Sequence, residues 1–261
     1  MNPELSYGTK PATAEPDPAP QNFFARLIGV YFSPGETFAR MARAPRALAP
    51  IIVLVLLFAI SGAFVASRVP TERIAEERIQ QALVSGQITE QQAEQQREGM
   101  RRFAPIMKYV IPISSAIWAV VMVFAIAGLA KLVSLMMGIE NKYMPLVSVT
   151  TYTMLAVYTI TTAIFVILIF LKPVDEFDWN NPIGSNLAAV LTALGVEGLS
   201  KFVKALLTYV DVFYIWKVIL IAIGCAAVSH RLKTASAMVY AGVIACVLAL
   251  IGGAWGAMFG F

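Results

Sequence analysis

The chain has 261 residues, 58% hydrophobic and only 14% charged, with a formal net charge of +4 and a mean hydropathy of +0.71. Ordinary soluble domains carry about 25% charged residues, so this composition excludes a water-soluble globule and places much of the chain in lipid. Its two cysteines, Cys225 and Cys246, fall in apolar stretches and read as small apolar groups, with no disulfide framework implied.

In chain order, residues 1–21 contain Pro3, Pro11, Pro16, Pro18 and Pro20 and no apolar run, so they read as a disordered tail and not as a signal peptide. Residues 22–46 read as a cytoplasmic interfacial amphipathic segment. Phe23, Phe24, Leu27, Val30 and Tyr31 alternate with Arg26 in a pattern that suits a helix lying apolar side down in the membrane interface. A second helix is signalled by Ser33-Pro34-Gly35-Glu36, which combines a serine cap, a proline at the first helical position and the glutamate of a capping box. Phe38 and Met41 then share a face opposite Arg40 and Arg43. Arg26, Arg40 and Arg43 are the candidate contacts to anionic lipid or to a partner protein; a structural lead-in to the first span is the plainer role.

One membrane crossing takes roughly 20 apolar residues. Charge bounds five such spans, at about 47–67, 109–137, 145–171, 209–229 and 235–259, and assigns residues 47–261 to one membrane domain. Short basic loops mark the cytoplasmic side. Arg40, Arg43 and Arg46 before the first span, Lys142 in the second loop, and His230, Arg231 and Lys233 in the fourth share one side if the N-terminus is cytoplasmic and the C-terminus outside. The loop from Arg68 to Lys108 balances seven basic against six acidic residues. Its residues 70–104 read as an outer helical hairpin, with Ser85-Gly86 at the turn and Thr89 and Gln92 as a capping box. Residues 186–208 place Leu187, Val190, Leu191, Leu194, Phe202 and Val203 at helical spacing against Lys201 and Lys204. That is an outer amphipathic helix, lying on the membrane surface or packed as a broken helix against the bundle, with Gly195 and Gly198 free to bend it.

Ionisable residues inside spans are costly and mark either internal hydrogen bonds or ion paths. Lys131 is near a span end and can snorkel. Asp211 and Lys217 are the candidate intramembrane polar residues; six positions apart, they are separated by about 240° around a helix and do not face each other. Gly252, Gly256 and Gly260 repeat at the small-residue spacing that lets helices approach closely, as Gly62 and Ala66 do in the first span. Internal packing is the simpler explanation of the stripe and homo-oligomerisation the alternative.

The run Phe32-Ser33-Pro34-Gly35-Glu36-Thr37-Phe38, followed by Leu48-Ala49-Pro50, and the run Leu207-Thr208-Tyr209-Val210-Asp211-Val212-Phe213-Tyr214-Ile215-Trp216, leading into Ile223-Gly224, resemble the Yip domain of bacterial proteins related to the Ypt/Rab-interacting family. The resemblance implies five membrane helices with a cytoplasmic N-terminus, in agreement with the charge pattern. Eukaryotic members associate with Rab GTPases at early secretory membranes. The short tail and polar hairpin set this chain apart from that setting, so a Rab partner is not carried over. A bacterial inner membrane is the expected location.

Catalytic signatures are nearly absent: there is one histidine, His230, and no nucleophile elbow, phosphate loop or zinc-protease motif. Asp175, Glu176, Asp178 and Asn180 read as a solvated acidic loop, with a hard cation as the sharper alternative. No cofactor, metal site or nucleic-acid partner is expected. The sequence thus predicts an all-α polytopic membrane bundle of five transmembrane helices with interfacial helices and an outer hairpin. It is expected to be non-enzymatic and to act on lipids or partner proteins, with a solute or ion transporter built on Lys217, Asp211 and the acidic loop as the alternative.

Overall fold

A computed structural model describes residues 22–68, 71–172, 177, 181–196, 198–229 and 232–259. The tail 1–21, the acidic loop residues Asp175, Glu176, Asp178 and Asn180, the loop residues His230 and Arg231, and Gly260 lie outside the described residues. Ten helices make up the described fold: α1 (Phe23–Phe32), α2 (Pro34–Arg43), α3 (Leu48–Arg68), α4 (Thr71–Val84), α5 (Glu90–Met136), α6 (Tyr143–Leu171), α7 (Leu187–Ala193), α8 (Lys201–Leu207), α9 (Val212–Val228) and α10 (Thr234–Phe259).

Four helices, α3, α5, α6 and α10, have the length and apolar composition to cross a membrane. The chain is an all-α integral membrane bundle. The count of five differs in one element. The span expected at 209–229 is α9, apolar but only 17 residues long, because Asp211 caps its first turn and leaves Tyr209 and Val210 outside the helix. Its rise is about 25 Å, against a hydrocarbon core of about 30 Å.

Helix α5 is one unbroken helix of 47 residues that passes through Pro105 and Pro112. At about 70 Å it is more than twice the thickness of the hydrocarbon core, so its polar first third extends beyond the lipid. No break separates the hairpin from the second span. The Thr89–Gln92 capping box starts this helix: the Thr89 Oγ1 accepts from the Gln92 N–H at 3.3 Å, and the Gln92 Oε1 accepts from the Thr89 N–H at 2.9 Å. Arg97 clamps the hairpin across to Glu76 of α4 with donor–acceptor distances of 2.7–3.1 Å.

The capping box expected at Ser33 does not form. The Ser33 side chain makes no cap bond, and Glu36 pairs with Arg40 one turn along α2 instead. The amphipathic segment over 186–208 takes the broken form: Gly195 (φ 75°) and Gly198 (φ 83°) adopt left-handed backbone, which ends α7 and separates it from α8.

Helix α6 is the hub, contacting α1, α2, α3, α5 and α9. One apolar cluster joins α3, α5, α6, α9 and α10 through Leu54, Val123, Ile126, Leu155, Ala222 and Tyr240. A second joins the leader helices α1 and α2 to α6 and α9 through Val30, Phe38, Met41, Tyr152 and Leu220. Close crossings depend on small residues. A Cβ added at Gly224 would stand 2.2 Å from a Val149 methyl, and one at Gly62 would stand 2.8 Å from the Pro112 Cα.

Candidate functional site

The first turn of α9 starts at Asp211. Its Oδ1 accepts from the Phe213 and Tyr214 N–H groups, both at 2.9 Å, and its Oδ2 accepts from the Ser185 hydroxyl. Backbone pairing with residues 186–187 completes the junction, the Leu187 N–H donating to the Val210 carbonyl at 2.9 Å. This carboxylate is thus engaged in holding a helix terminus, the role that an aspartate N-cap serves by accepting from otherwise orphaned N–H groups.

Two turns further on, Lys217 sits among aromatic rings. Its Nζ is 4.4 Å from the Tyr214 ring centre, as the i,i+3 relation allows, and 6.0 Å from that of Tyr158 on α6. Tyr209 stacks edge-on against Tyr214 with ring centres 5.2 Å apart. Tyr158, Tyr209 and Tyr214 lie within electrostatic range of one another. The Tyr214 hydroxyl donates to the Ala245 carbonyl of α10 at 2.9 Å. Among the described residues Lys217 forms neither an ion pair nor a hydrogen bond; Asp211 is within electrostatic range but pairs with other groups. Rings offset part of the cost of a buried cation, which is at least about 2.5 kcal/mol at the centre of a span. They do not satisfy the three N–H donors of an ammonium.

The glycine stripe on α10 faces the same end of the bundle. A Cβ at Gly252 would meet the Tyr209 hydroxyl at 1.7 Å, and one at Gly256 would meet the Ala205 Cβ at 3.4 Å. Both glycines therefore receive α8 and the α8–α9 connection of the same chain. Sequence spacing singled out Asp211 and Lys217 but missed the tyrosines, because Tyr158 reaches the lysine from α6 and Tyr209 reaches Tyr214 from the α8–α9 connection.

The leader arginines differ from one another. Arg26 is 2% exposed, with its guanidinium hydrogen-bonded to the Tyr152 side chain of α6; burial takes it off the surface expected of a lipid contact. Arg40 is half-exposed and paired with Glu36, and Arg43 is exposed. On α1, Val30 is buried whereas Phe24 (69%), Ile28 (56%) and Phe32 (84%) are exposed at i, i+4 and i+8. A second polar cluster ties α5 to α10: Lys131 donates to the Asn141 carbonyl, the Asn141 Nδ2 donates to the Ser134 Oγ at 3.1 Å, and that oxygen lies 2.9 Å from the Tyr240 hydroxyl. Sequence reasoning treated Lys131 as snorkelling and did not find the partners, which are set by a turn and a distant helix.

Among the described residues, no group of three or more His, Cys, Asp or Glu side chains could hold a metal ion. A family model described as the Yip1 domain matches residues 28–256. No curated protein and no solved structure gives a significant match.

Proposed function

The chain belongs to the Yip1 domain family, and from that premise we propose that it acts without catalysis, by associating with lipids or partner proteins in membrane organisation or trafficking. The observation that carries this reading is the leader. One face of α1 is anchored in the bundle through Val30, while Phe24, Ile28 and Phe32 form an apolar ridge on the other face. An amphipathic helix held this way offers an apolar ridge to an interface. Photo-crosslinking side chains placed at positions 24, 28 and 32 in cells should yield lipid adducts or one discrete protein adduct. Crosslinkers that react only with water would overturn the reading.

The proposed orientation has a cytoplasmic N-terminus and an external C-terminus in a bacterial inner membrane, which requires α9 to count as a crossing. A C-terminal alkaline phosphatase fusion should be active; an inactive fusion beside an active cytoplasmic reporter at the same site would place both termini on one side. A second reading, a small-solute or ion transporter, draws on Lys217, which has no acidic partner among the described residues. Liposome assays of proton, divalent-ion and solute flux test it, and flux lost in Lys217→Met would favour it.

A further inference from the structure

Contacts with membrane-crossing helices place the α1–α2 leader in depth. Helix α3 has 21 residues, about 31 Å of rise against a hydrocarbon core of about 30 Å, so its central residue, Phe58, marks the middle of the core. The Phe58 ring packs on the Tyr158 ring of α6 with centres 4.8 Å apart, which puts Tyr158 close to that level. Two residues before it, the Ala156 carbonyl accepts from the Tyr31 hydroxyl at 2.8 Å. Tyr31 also stacks on Trp216, twelve residues before the end of α9. The last turn of α1 is therefore within one tyrosine side chain of mid-core. Its first turn is shallower: Phe23 packs on Tyr152, about 9 Å from Tyr158 along α6, and the Arg26 guanidinium bonds to the same tyrosine.

The chain then returns. One residue, Ser33, separates α1 from α2, and a Cβ added at Gly29 would meet the Thr37 Oγ1 at 2.3 Å, so the two helices touch beside the bend. The ten residues of α2 supply about 15 Å, the distance from mid-core to the face where α3 begins at Leu48. A bend within hydrocarbon must leave few backbone groups unsatisfied. Here the Ser33 N–H donates to the Gly29 carbonyl at 2.8 Å, the Thr37 N–H donates to the Ser33 carbonyl at 3.1 Å, and Pro34 has no N–H. Glu36 and Arg40, the charged residues nearest the bend, pair with each other, which offsets their cost below the membrane face. The exposed ridge of Phe24, Ile28 and Phe32 runs down the hairpin, and α3 exposes Leu48, Ile52 and Leu56 over the same half of the core.

We propose that α1 and α2 form a re-entrant hairpin that dips to about mid-core from the face where α3 begins, and that the acyl chains of that leaflet cover the Phe24, Ile28 and Phe32 ridge. This rests on the association reading and deepens it by naming lipid tails as the occupant of the ridge.

Nitroxide labels on cysteines introduced singly at positions 24, 28 and 32 test it in the full chain, reconstituted in dioleoylphosphatidylcholine vesicles. Exposed Cys246 is replaced by alanine, and buried Cys225 stays. Collision rates with oxygen, which concentrates in hydrocarbon, and with a water-soluble nickel chelate give depth. Labels at exposed Ile60 of α3 and exposed Val84 at the end of α4 serve as lipid and water references. The oxygen-to-nickel ratio should rise from 24 to 28 to 32. Position 32 should lie about 6–12 Å deeper than 24, the rise of four residues of α6 and of eight of α1, and approach the value at Ile60. Equal, shallow depth at all three positions would overturn the hairpin and leave a surface helix, with the association reading intact. Slow collisions with both reagents would overturn the acyl-chain occupant in favour of a protein partner, again sparing that reading. Nickel access as fast as at Val84 would overturn both. Should the label at 32 prevent folding, 24 and 28 still span about half of the gradient, and its absence there would overturn the hairpin.

Discussion

The two halves of α6 are parts of one membrane helix with opposite surroundings. From Pro145 to Val157 every residue is buried, including Ser148, Thr150, Thr151 and Thr153. Beyond Val157 the helix is far more apolar, yet Ile167, Phe170 and Leu171 are exposed and only Ile169 is buried. In lipid the hydrophobic effect does not separate inside from outside, so the polar half is the one that other helices enclose. The Thr151 hydroxyl donates to the Val147 carbonyl at 2.7 Å, while among the described residues the Ser148 and Thr153 hydroxyl oxygens have no hydrogen-bond partner. Enclosure comes from α1, α2 and α9 on one side and from α3 and α5 on the other, so the leader is part of the bundle and not only an attachment to its surface.

The strongest way to break this contrast is to remove a leader side chain. Phe38, fully buried between α6 and α9, should cost about 3–5 kcal/mol when replaced by alanine, read as a loss of thermal stability in detergent. Phe170→Ala, in the exposed half of α6, should cost less than about 1 kcal/mol. Equal losses would mean that the leader does not enclose the first half.

A smaller effect concerns close approach. Gly224→Ala places its Cβ against Val149 and should destabilise by about 1–3 kcal/mol through overpacking; adding Val149→Ala should recover part of that loss. Among the described residues no atom outside the local helix backbone lies within 4 Å of a Cβ added at Gly128 on α5, so Gly128→Ala should be neutral or stabilising by up to about 1 kcal/mol. If both glycines respond alike, the α6–α9 crossing is looser than described.

The smallest effect lies in the hairpin, where charge pairs replace enclosure. Hydrogen bonds from Arg97 first, then from Gln80, hold the Glu76 carboxyl down to about 2. A carboxyl lowered in the folded state contributes its stability fully above its unfolded value of about 4.5 and loses it as pH falls toward 2. Hydrogen exchange in α4, corrected for intrinsic rates, should keep constant protection from pH 7 to about 4.5 and lose some of it below. In Glu76→Gln that pH step should vanish. High salt should shrink it, because the pair is partly open to solvent.

Much of this architecture is legible in the residues. Long uncharged runs announced α3, α6 and α10, since about 1.5 Å of rise per residue and a fixed lipid thickness leave few alternatives. Thr89 with Gln92 marked the start of α5, Gly195 and Gly198 marked the break that separates α7 from α8, and Asp211 and Lys217 stood out because charge within an apolar run is rare. Less legible were features with no local signature. The Ser33 cap lost Glu36 to Arg40, an i,i+4 competitor that offers a charge pair. Hairpin and span merged in α5 because glutamine, glutamate and arginine are good helix formers and the helix runs on through Pro105, a residue that ordinarily kinks or ends one.

The sequence by itself thus determined the class of the protein, the apolar segments and the family to which the chain belongs. These follow from hydropathy, length and local motif chemistry, which act over tens of residues at most. Only the tertiary structure decided that Arg26 is buried against Tyr152, that α1 and α2 wrap one half of α6, and that Tyr158 of α6 stands beside Lys217. In a membrane, apolar side chains suit lipid and protein neighbours alike, so which faces meet is set by close packing and hydrogen bonding between distant segments, and the one-dimensional pattern does not record it.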